Sequence, residues 1–310
     1  MILEKQVCDC RNFAQPLDKA PKIDKKLAVQ IHIYYTDLIP ELTAALKNIC
    51  HRFDLFVTTD TAQKAAEIEE KLVAPLKTEP FLENAAVEVC GNRGRDVIPF
   101  LQQLRPVYRQ YAYILHLHTK KSKHSEIGDA WRRHLYRLLL GDRTTVDNVM
   151  GLFEEDPSVG LVYPQTFAAV LPFMRWDENR KVCQRVAKAA GIEIRPFKVG
   201  RKEIVVFPAG DMFWARTEAV YQLLDCPFTQ EQIPPEEGQL DGTIMHAIER
   251  LWTYTAKFNG YCTVLMETDF VEDCVREEID RRQRSIVDKL LPFGTRRRAA
   301  VRWVRNLFRK

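Results

Sequence analysis

The sequence contains no apolar run long enough to span a bilayer, although 46% of its 310 residues are hydrophobic. Residues 1–26 mix charges with Cys and Pro and lack the apolar stretch of a signal peptide. The eight cysteines are scattered, and the one close pair, Cys8-x-Cys10, lacks the spacing of zinc ligands. Internal repeats and low-complexity segments are also missing. These absences argue against membrane-spanning, disulfide-stapled and repeat proteins, and they predict a cytosolic globular chain with reduced thiols.

Acidic residues are almost missing from the last thirty positions. Residues 281–310 hold eleven Lys/Arg against Asp288 alone, so this segment carries +10 and the rest of the chain −6. This asymmetry argues against a nucleic-acid-binding core. From Arg296 onward, helical spacing would place apolar side chains on one face and arginines on the other, as in an interfacial helix on anionic lipid. The apolar positions are Ala300, Val301, Val304, Leu307 and Phe308. The alternative is a solvated or self-packed terminal helix.

Strand and helix patterns alternate between the N-terminal residues 1–26 and the basic C-terminal segment. Apolar strand patterns occur at residues 27–33, 53–57, 86–90 and 113–118, and each is followed by a helical pattern. Four successive βα units predict an α/β fold with a mostly parallel sheet and right-handed crossovers. Further strands are predicted at residues 159–163, 204–207, 212–215 and 261–266. We predict an N-terminal extension at residues 1–26, one domain at 27–270 and a basic helical tail at 271–310.

The most informative stretch is Gly91 to Ser122. It contains G-N-R-G-R-D at residues 91–96 and H-L-H-T-K-K-S at residues 116–122, each following a predicted strand. Gly91 and Gly94 permit a positive φ and close approach of a ligand, and Asp96 is predicted to cap a helix starting at Val97. Because ligands of open α/β sheets bind outside the carboxyl ends of the strands, both motifs are expected beside one ligand.

Four cations in these motifs indicate an anionic ligand. We predict that they neutralise a diphosphate, since a departing nucleoside diphosphate gains negative charge in the transition state and fixed cations stabilise that charge. The alternative is a solvated charged loop. The four cations are Arg93, Arg95, Lys120 and Lys121.

Two histidines precede the lysines with the spacing of metal ligands. His116 and His118 lie at i and i+2 on a strand, so they share a face. A third ligand is not apparent nearby, although His124 and His134 are available. A metal is therefore not favoured, and a zinc hydrolase remains a rival interpretation.

Several motifs together resemble the rhamnan synthesis protein F family. They are H-I-Y-Y-T-D-L, N-R-G-R-D-V-I-P-F-L, H-L-H-T-K-K-S, F-P-A-G-D-M-F-W and Q-L-D-G-T-I-M-H-A-I-E-R-L, between Leu27 and Phe270. The resemblance implies a GT-A-like Rossmann-type glycosyltransferase of bacterial surface polysaccharide (O-antigen, capsule or rhamnan). It further implies a nucleotide-sugar donor, with dTDP-rhamnose favoured, and a glycan or lipid-linked glycan acceptor. With the basic tail, it places the protein in the cytoplasm, peripheral on the inner face of the cytoplasmic membrane. This chain has Asp211 where the family usually has a small residue.

The resemblance also implies roles for individual residues. The general base of an inverting transfer would be Asp241, with Asp211 and Glu237 as further candidates, although Asp241 would otherwise simply cap a helix. Because His116-x-His118 stands where many GT-A enzymes carry a metal-binding Asp-x-Asp, we predict transfer without a cofactor or metal, with lysine and arginine replacing the cation. The remaining donor-binding candidates are Tyr34, Tyr35, Thr58, Asp60, Asn92, Asp96, His116 and His118.

Two rival interpretations of these residues stay open. The candidates at the ends of the first two strands are about as well explained as ordinary turn residues. Phe173, Trp176 and Trp214 would stack on acceptor sugars or, more commonly for such residues, belong to the core. A non-catalytic nucleotide- or glycan-binding module of a polysaccharide assembly complex is the alternative to an enzyme.

Overall fold

The structure is a computed structural model of the chain. It describes residues 9–13, 21–91, 93–119, 121, 128–176, 178–193, 205–229, 233 and 241–267. The predicted basic tail at 271–310 therefore lies outside the described residues, as do Asn92, Lys120 and Glu237. Within the described part of the chain, none of the helices has both the length and the apolar character needed to cross a lipid bilayer.

One mostly parallel sheet organises the described residues, with strands in the order β1-β8-β6-β7-β5-β2-β3-β4. Only β7 runs antiparallel to its neighbours, β5 and β6. The α/β prediction with a Rossmann-like sheet is therefore confirmed. The strands are β1 Asp9–Asn12, β2 Leu27–His32, β3 Phe53–Thr59, β4 Leu82–Val89, β5 Tyr113–His118, β6 Val159–Pro164, β7 Phe213–Arg216 and β8 Cys262–Glu267.

Helices cover both faces of this sheet. They are α1 Ile39–Leu46, α2 Ala62–Ile68, α3 Ala74–Leu76, α4 Val97–Leu104, α5 Gly128–Leu140, α6 Arg143–Glu155, α7 Asn179–Ala189, α8 Thr217–Leu224 and α9 Ile244–Phe258. A π-helical segment, Glu69–Val73, joins α2 to α3. The single helix predicted for residues 61–76 is therefore continuous but locally widened.

The alternation of side chains along each strand builds two separate cores. Val29 and Leu115 point to one face, where they pack in a cluster with α1, α5 and α6. Ala28 and Ile114 point to the other face, where the cluster includes residues of α4, α7, α8 and α9. Buried on both faces, the central strands read as nearly continuous apolar runs, as parallel strands do.

The strand order creates a switch point between β2 and β5. The chain runs from β2 outward to β3 and β4, and it then returns to place β5 on the other side of β2. The helix that follows β2, α1, and the helix that precedes β5, α4, lie on opposite faces. A crevice is expected outside the carboxyl ends of β2 and β5, where open α/β sheets bind ligands.

Two segments differ from the sequence predictions. Residues 205–207 are buried but form no strand, because Val205 N–H donates to Met174 O over 3.0 Å and Val206 O accepts from Thr253 Oγ1 over 2.8 Å. Asp9–Asn12, assigned by sequence to an extension, forms the edge strand β1 against β8.

Candidate functional site

The ends of β2 and β5 are tied together at the switch point. Thr119, which follows β5, accepts the backbone N–H groups of Tyr34 and Tyr35 on its Oγ1 over 2.9 and 3.0 Å. Thr119 N–H in turn donates to His32 O over 3.0 Å. One buried hydroxyl therefore fixes the segment that leaves β2 against the segment that leaves β5.

A compact group of titratable side chains lies beside this junction. His116 Nε2 is 3.7 Å from Asp96 Oδ2 and 3.9 Å from Asp211 Oδ2. His118 Nε2 is 3.6 Å from the same Asp96 oxygen and donates to Gly210 O over 2.6 Å. Three chain segments, remote in sequence, therefore meet around His116. We call Asp96, His116 and Asp211 the Asp–His–Asp cluster.

Asp211 reaches the cluster because β7 is antiparallel. Phe213, the first residue of β7, pairs with His116 near the carboxyl end of β5. The residues just before β7 therefore lie at the ligand-binding edge of the sheet rather than at its opposite edge. A parallel strand in this position would have carried Asp211 to the far side of the sheet.

Asp96 occupies the N-cap position of α4, but its side chain makes no capping hydrogen bond. Its φ of −82° and ψ of −31° are helical, whereas a side chain that caps a helix needs an extended backbone. The predicted capping role of the Asp96 side chain is therefore wrong. The carboxylate is instead directed at His116 and His118.

A buried chain of amides holds the ring of His116. Gln103 Nε2 donates to Val57 O over 3.1 Å, so its Oε1 accepts from Gln30 Nε2 over 3.2 Å. Gln30 Oε1 then accepts from His116 Nδ1 over 2.8 Å. Because Gln30 presents only its oxygen, the proton of neutral His116 is on Nδ1, and the lone pair of Nε2 faces the two aspartates.

Burial keeps this histidine neutral. The side chain of His116 is fully buried and stacks on Phe100 with ring centroids 4.0 Å apart. Its pKa is lowered because burial disfavours the charged imidazolium, despite the opposing effect of Asp96. Burial likewise lowers the pKa of neighbouring His32 to about 4.

The loop that carries Asp211 is held by α9. Trp252 Nε1 donates to Asp211 Oδ1 over 2.7 Å, and Gly210 N–H donates to Glu249 Oε1 over 2.9 Å. Asp211 has a φ of 52°, and Arg95, just before Asp96, has a φ of 53°. These are the positive-φ residues other than glycine among the described residues, and each stores backbone strain next to the cluster.

Asp241 lies before α9 but does not cap it. The helix begins at Ile244, and Thr243 is its N-cap, accepting from His246 N–H over 3.3 Å. The prediction that Asp241 opens and caps this helix is therefore wrong. Asp241 Oδ1 instead accepts from Asn179 Nδ2 over 2.5 Å and lies 3.5 Å from Arg250 Nη2, with 35% of the side chain exposed.

The described members of the predicted diphosphate group have different surroundings. Arg95 Nη1 donates to His246 Nε2 over 2.9 Å, whereas Arg93 is exposed. Lys121 pairs with Asp37, and its Nζ is 5.2 Å from the centroid of the Tyr35 ring. Convergence of these cations on a diphosphate stays a prediction.

The candidates for holding the nucleotide differ in accessibility. Lys64 Nζ lies 4.0 Å from the centroid of the Tyr34 ring and pairs with Asp60 over 2.6 Å. Thr58 is buried, and its Oγ1 contacts Gln30 Nε2 and His32 Nδ1 over 3.2 and 3.0 Å. Tyr34 is partly exposed and the side chain of Asp60 is 13% exposed, whereas Thr58 belongs to the network beneath the cluster.

The three aromatic candidates for sugar stacking differ in burial. Trp214 and Trp176 are each buried in one of the two cores, so they are core residues rather than surfaces for sugar stacking. Phe173 is 63% exposed at the end of a short helical segment.

Gln30, His32 and Gln103 support the cluster from inside, and none of them was predicted from the sequence. Their signal in the sequence is faint. Gln30 and His32 are polar residues at alternate positions of the otherwise apolar run L-A-V-Q-I-H, which places both on one face of a buried strand.

Comparisons with known proteins identify a matching family and two relatives. Residues 6–261 match the family described as rhamnan synthesis protein F. Proteins named WxcX from two strains of Xanthomonas campestris pv. campestris, both described as uncharacterized, are 31% identical over 260 residues, which is 82% of this chain. The chain spans 35% of the length of these relatives.

Proposed function

The chain belongs to the rhamnan synthesis protein F family, and we propose that it is a glycosyltransferase that uses a nucleoside-diphosphate sugar to extend a bacterial surface polysaccharide. The family's role is polysaccharide synthesis, which fits a Rossmann-like sheet. The observation that carries the proposal is the set of charged and polar side chains at the switch point between β2 and β5. A nucleotide is the ligand class that such sheets bind at this edge.

The reaction we propose is an inverting transfer. An acceptor hydroxyl attacks the anomeric carbon, the bond from that carbon to the diphosphate oxygen breaks, and the hydroxyl proton passes to a carboxylate. Arg95 and Lys121 would stabilise the charge that develops on the departing diphosphate. Tyr34 and Asp60, on the segments that follow β2 and β3, would contact the nucleotide. The donor we favour is dTDP-rhamnose, by analogy with the family.

Among the described carboxylates, Asp241 suits the role of general base best. Its side chain is partly exposed, and its Oδ1 is oriented by Asn179 and Arg250. Asp211 is less suited, because it is 3% exposed and its two oxygens face Trp252 and His116. A base must reach the acceptor hydroxyl, so accessibility favours Asp241.

The acceptor and the cellular location are proposed from the family and the basic tail. A lipid-linked glycan would be presented at the cytoplasmic face of the membrane, where residues 296–310 carry the composition of an interfacial helix. Deleting these residues should shift the protein from the membrane fraction to the soluble fraction at low salt. An unchanged distribution would contradict the membrane association.

A donor-binding and turnover assay tests the enzyme proposal. Purified full-length chain is titrated with dTDP-rhamnose and with nucleoside diphosphates and their sugars, and release of nucleoside diphosphate is followed with glycan acceptors. Asp241→Asn should lower turnover by about 10²–10⁴-fold and leave donor affinity unchanged. The matched control is Asp225→Asn. Asp225 also pairs with an arginine, Arg109 at 2.6 Å, but it follows α8 and is not a proposed site residue.

The outcomes separate the two functional classes. Binding without turnover for every donor and acceptor would favour the non-catalytic binding module. Failure to bind any nucleotide would reject both. Wild-type turnover in Asp241→Asn would leave the enzyme proposal standing and remove Asp241 as the base.

A further inference from the structure

The Asp–His–Asp cluster has the composition and spacing of a metal site. One nitrogen and two carboxylate oxygens, from three segments of the chain, all lie within 4.8 Å of one another. Ligand atoms bonded at roughly 2.0–2.2 Å to a common ion lie about 3–4 Å apart, so small side-chain movements would close the set around a cation. We propose that Asp96, His116 and Asp211 bind a divalent metal ion such as Mn²⁺.

The strongest evidence is the state of His116. Its Nε2 is buried and has no hydrogen-bond partner among the described residues. The amide chain from Val57 through Gln103 and Gln30 places the proton on Nδ1, so this orphaned nitrogen carries a lone pair. This buried nitrogen lone pair faces carboxylate oxygens 3.7 and 3.9 Å away, an unfavourable arrangement that a cation bound between them would convert into a favourable one.

The surrounding contacts are those that orient metal ligands. Metal-binding histidines usually donate their second ring N–H to an oxygen, as His116 does to Gln30 Oε1. Ligating carboxylates are themselves hydrogen-bonded, as Asp211 is by Trp252. Phe100 covers one side of the imidazole and fixes the plane of the ring.

The ligand set indicates the class of metal. Two carboxylates and one imidazole suit Mn²⁺, Zn²⁺ and similar first-row ions, whereas thiolate ligands, which would select softer metals, are absent from the cluster. Three protein ligands leave coordination positions for water or another ligand. If the proposed function holds, a donor phosphate oxygen would fill one of them. Transfer without a metal stays a prediction from the sequence, and the cluster favours the alternative.

Direct metal binding tests the inference without any nucleotide sugar. The full-length chain, stripped with chelator and dialysed, is titrated with Mn²⁺ by calorimetry and by electron paramagnetic resonance. Mn²⁺ is the probe because the chain's cysteines prefer softer ions. We expect one equivalent bound, with affinity at least tenfold weaker in Asp96→Asn and in Asp211→Asn. The control is Asp147→Asn, which alters a second, partly buried carboxylate–histidine contact, His51 to Asp147 at 2.7 Å, and should bind as wild type.

The results distinguish this inference from the proposed function. No stoichiometric binding, or equal binding by all three variants, would overturn the metal site even if the protein transfers sugar. Metal binding lost in the two cluster variants would establish the site even if no nucleotide sugar is ever turned over. Unfolding curves of each variant show whether a lost site reflects a lost fold, and in that case Asp96→Glu, which keeps the carboxylate, must restore measurable binding.

Discussion

Replacing Gly94 with alanine should destabilise the protein through two separate effects. Gly94 has a φ of +82°, and an added Cβ would lie 2.4 Å from both Cβ and Cγ1 of Ile98. Holding a non-glycine residue in the left-handed region costs about 1–2 kcal/mol. Ile98, four residues after Gly94 and second in α4, is fully buried, so the overlap adds about 1–3 kcal/mol. Gly94→Ala should therefore lower the free energy of unfolding by about 2–5 kcal/mol.

Gly260→Ala is the matched control for this variant. Gly260 follows α9, has the same φ of +82°, and a Cβ there would meet nothing within 4 Å. It should show only the backbone cost of about 1–2 kcal/mol. The difference between the two variants, measured by urea denaturation with equal m-values, isolates the overlap with Ile98.

A double-mutant cycle with Ile98→Ala completes the test. Removing the Ile98 side chain should make the second substitution, Gly94→Ala, cheaper by about 1–3 kcal/mol than it is in the wild-type background. Equal losses in Gly94→Ala and Gly260→Ala, or strictly additive effects in the cycle, would refute the close packing of Gly94 against Ile98. Asp96, whose carboxylate lies 3.7 Å from His116 Nε2, is two residues after Gly94.

Three further predictions concern the buried polar groups. Because the pKa of His32 falls from 6.5 to about 4 on folding, the unfolded state alone takes up a proton between these values, so stability should decrease as pH falls. At about 1.36 kcal/mol per pH unit, His32 should contribute a loss of about 2 kcal/mol between pH 7 and 5, and this loss should be missing in His32→Gln. Gln30→Leu should weaken Mn²⁺ binding about 10–100-fold by removing the acceptor of His116 Nδ1–H; unchanged affinity would mean that Gln30 does not fix the tautomer. Thr119→Val leaves two backbone N–H groups without their acceptor and should cost about 1–3 kcal/mol, whereas Thr119→Ser should cost less; equal stability of both variants by denaturation would contradict the role of the hydroxyl.

The parallel half of the sheet could be predicted because its strands leave a strong local signal. Residues 27–33 and 113–118 are buried on both faces and mostly apolar, and turn residues bound them. The strand predicted at 204–207 was wrong because a short buried run has no local feature that separates a strand from an irregular core segment. β1 escaped prediction because its four residues, D-C-R-N, have no apolar pattern. Its pairing depends on the exposed edge of β8, which is a tertiary property.

The candidate site was less predictable, because it depends on strand order. The sequence showed that His116 and His118 share a face. The two carboxylates that complete the proposed metal site are Asp96, 20 residues before His116, and Asp211, 95 residues after it. Asp96 matched the pattern of a helix cap, and only its backbone angles show that the side chain is turned elsewhere. Asp211 reaches His116 only because β7 inserts antiparallel between β5 and β6, an arrangement that no local pattern encodes.

The metal ion and the cations predicted from sequence would act at different depths of the site. His116 is fully buried, whereas the side chain of Lys121 is 31% exposed and pairs with Asp37, 63% exposed. Exposed ion pairs are worth about 0–1 kcal/mol, so a diphosphate could displace Asp37 at little cost. Contacts with such exposed cations are screened by salt, whereas coordination to a buried metal is screened much less. Donor binding that weakens steeply with ionic strength but resists chelator would therefore assign the diphosphate to the lysine and arginine side chains. Donor binding that is abolished by chelator but depends little on ionic strength would assign the diphosphate to a metal ion in the Asp–His–Asp cluster. The three side chains of the cluster supply no positive charge of their own, so removing the ion would remove it.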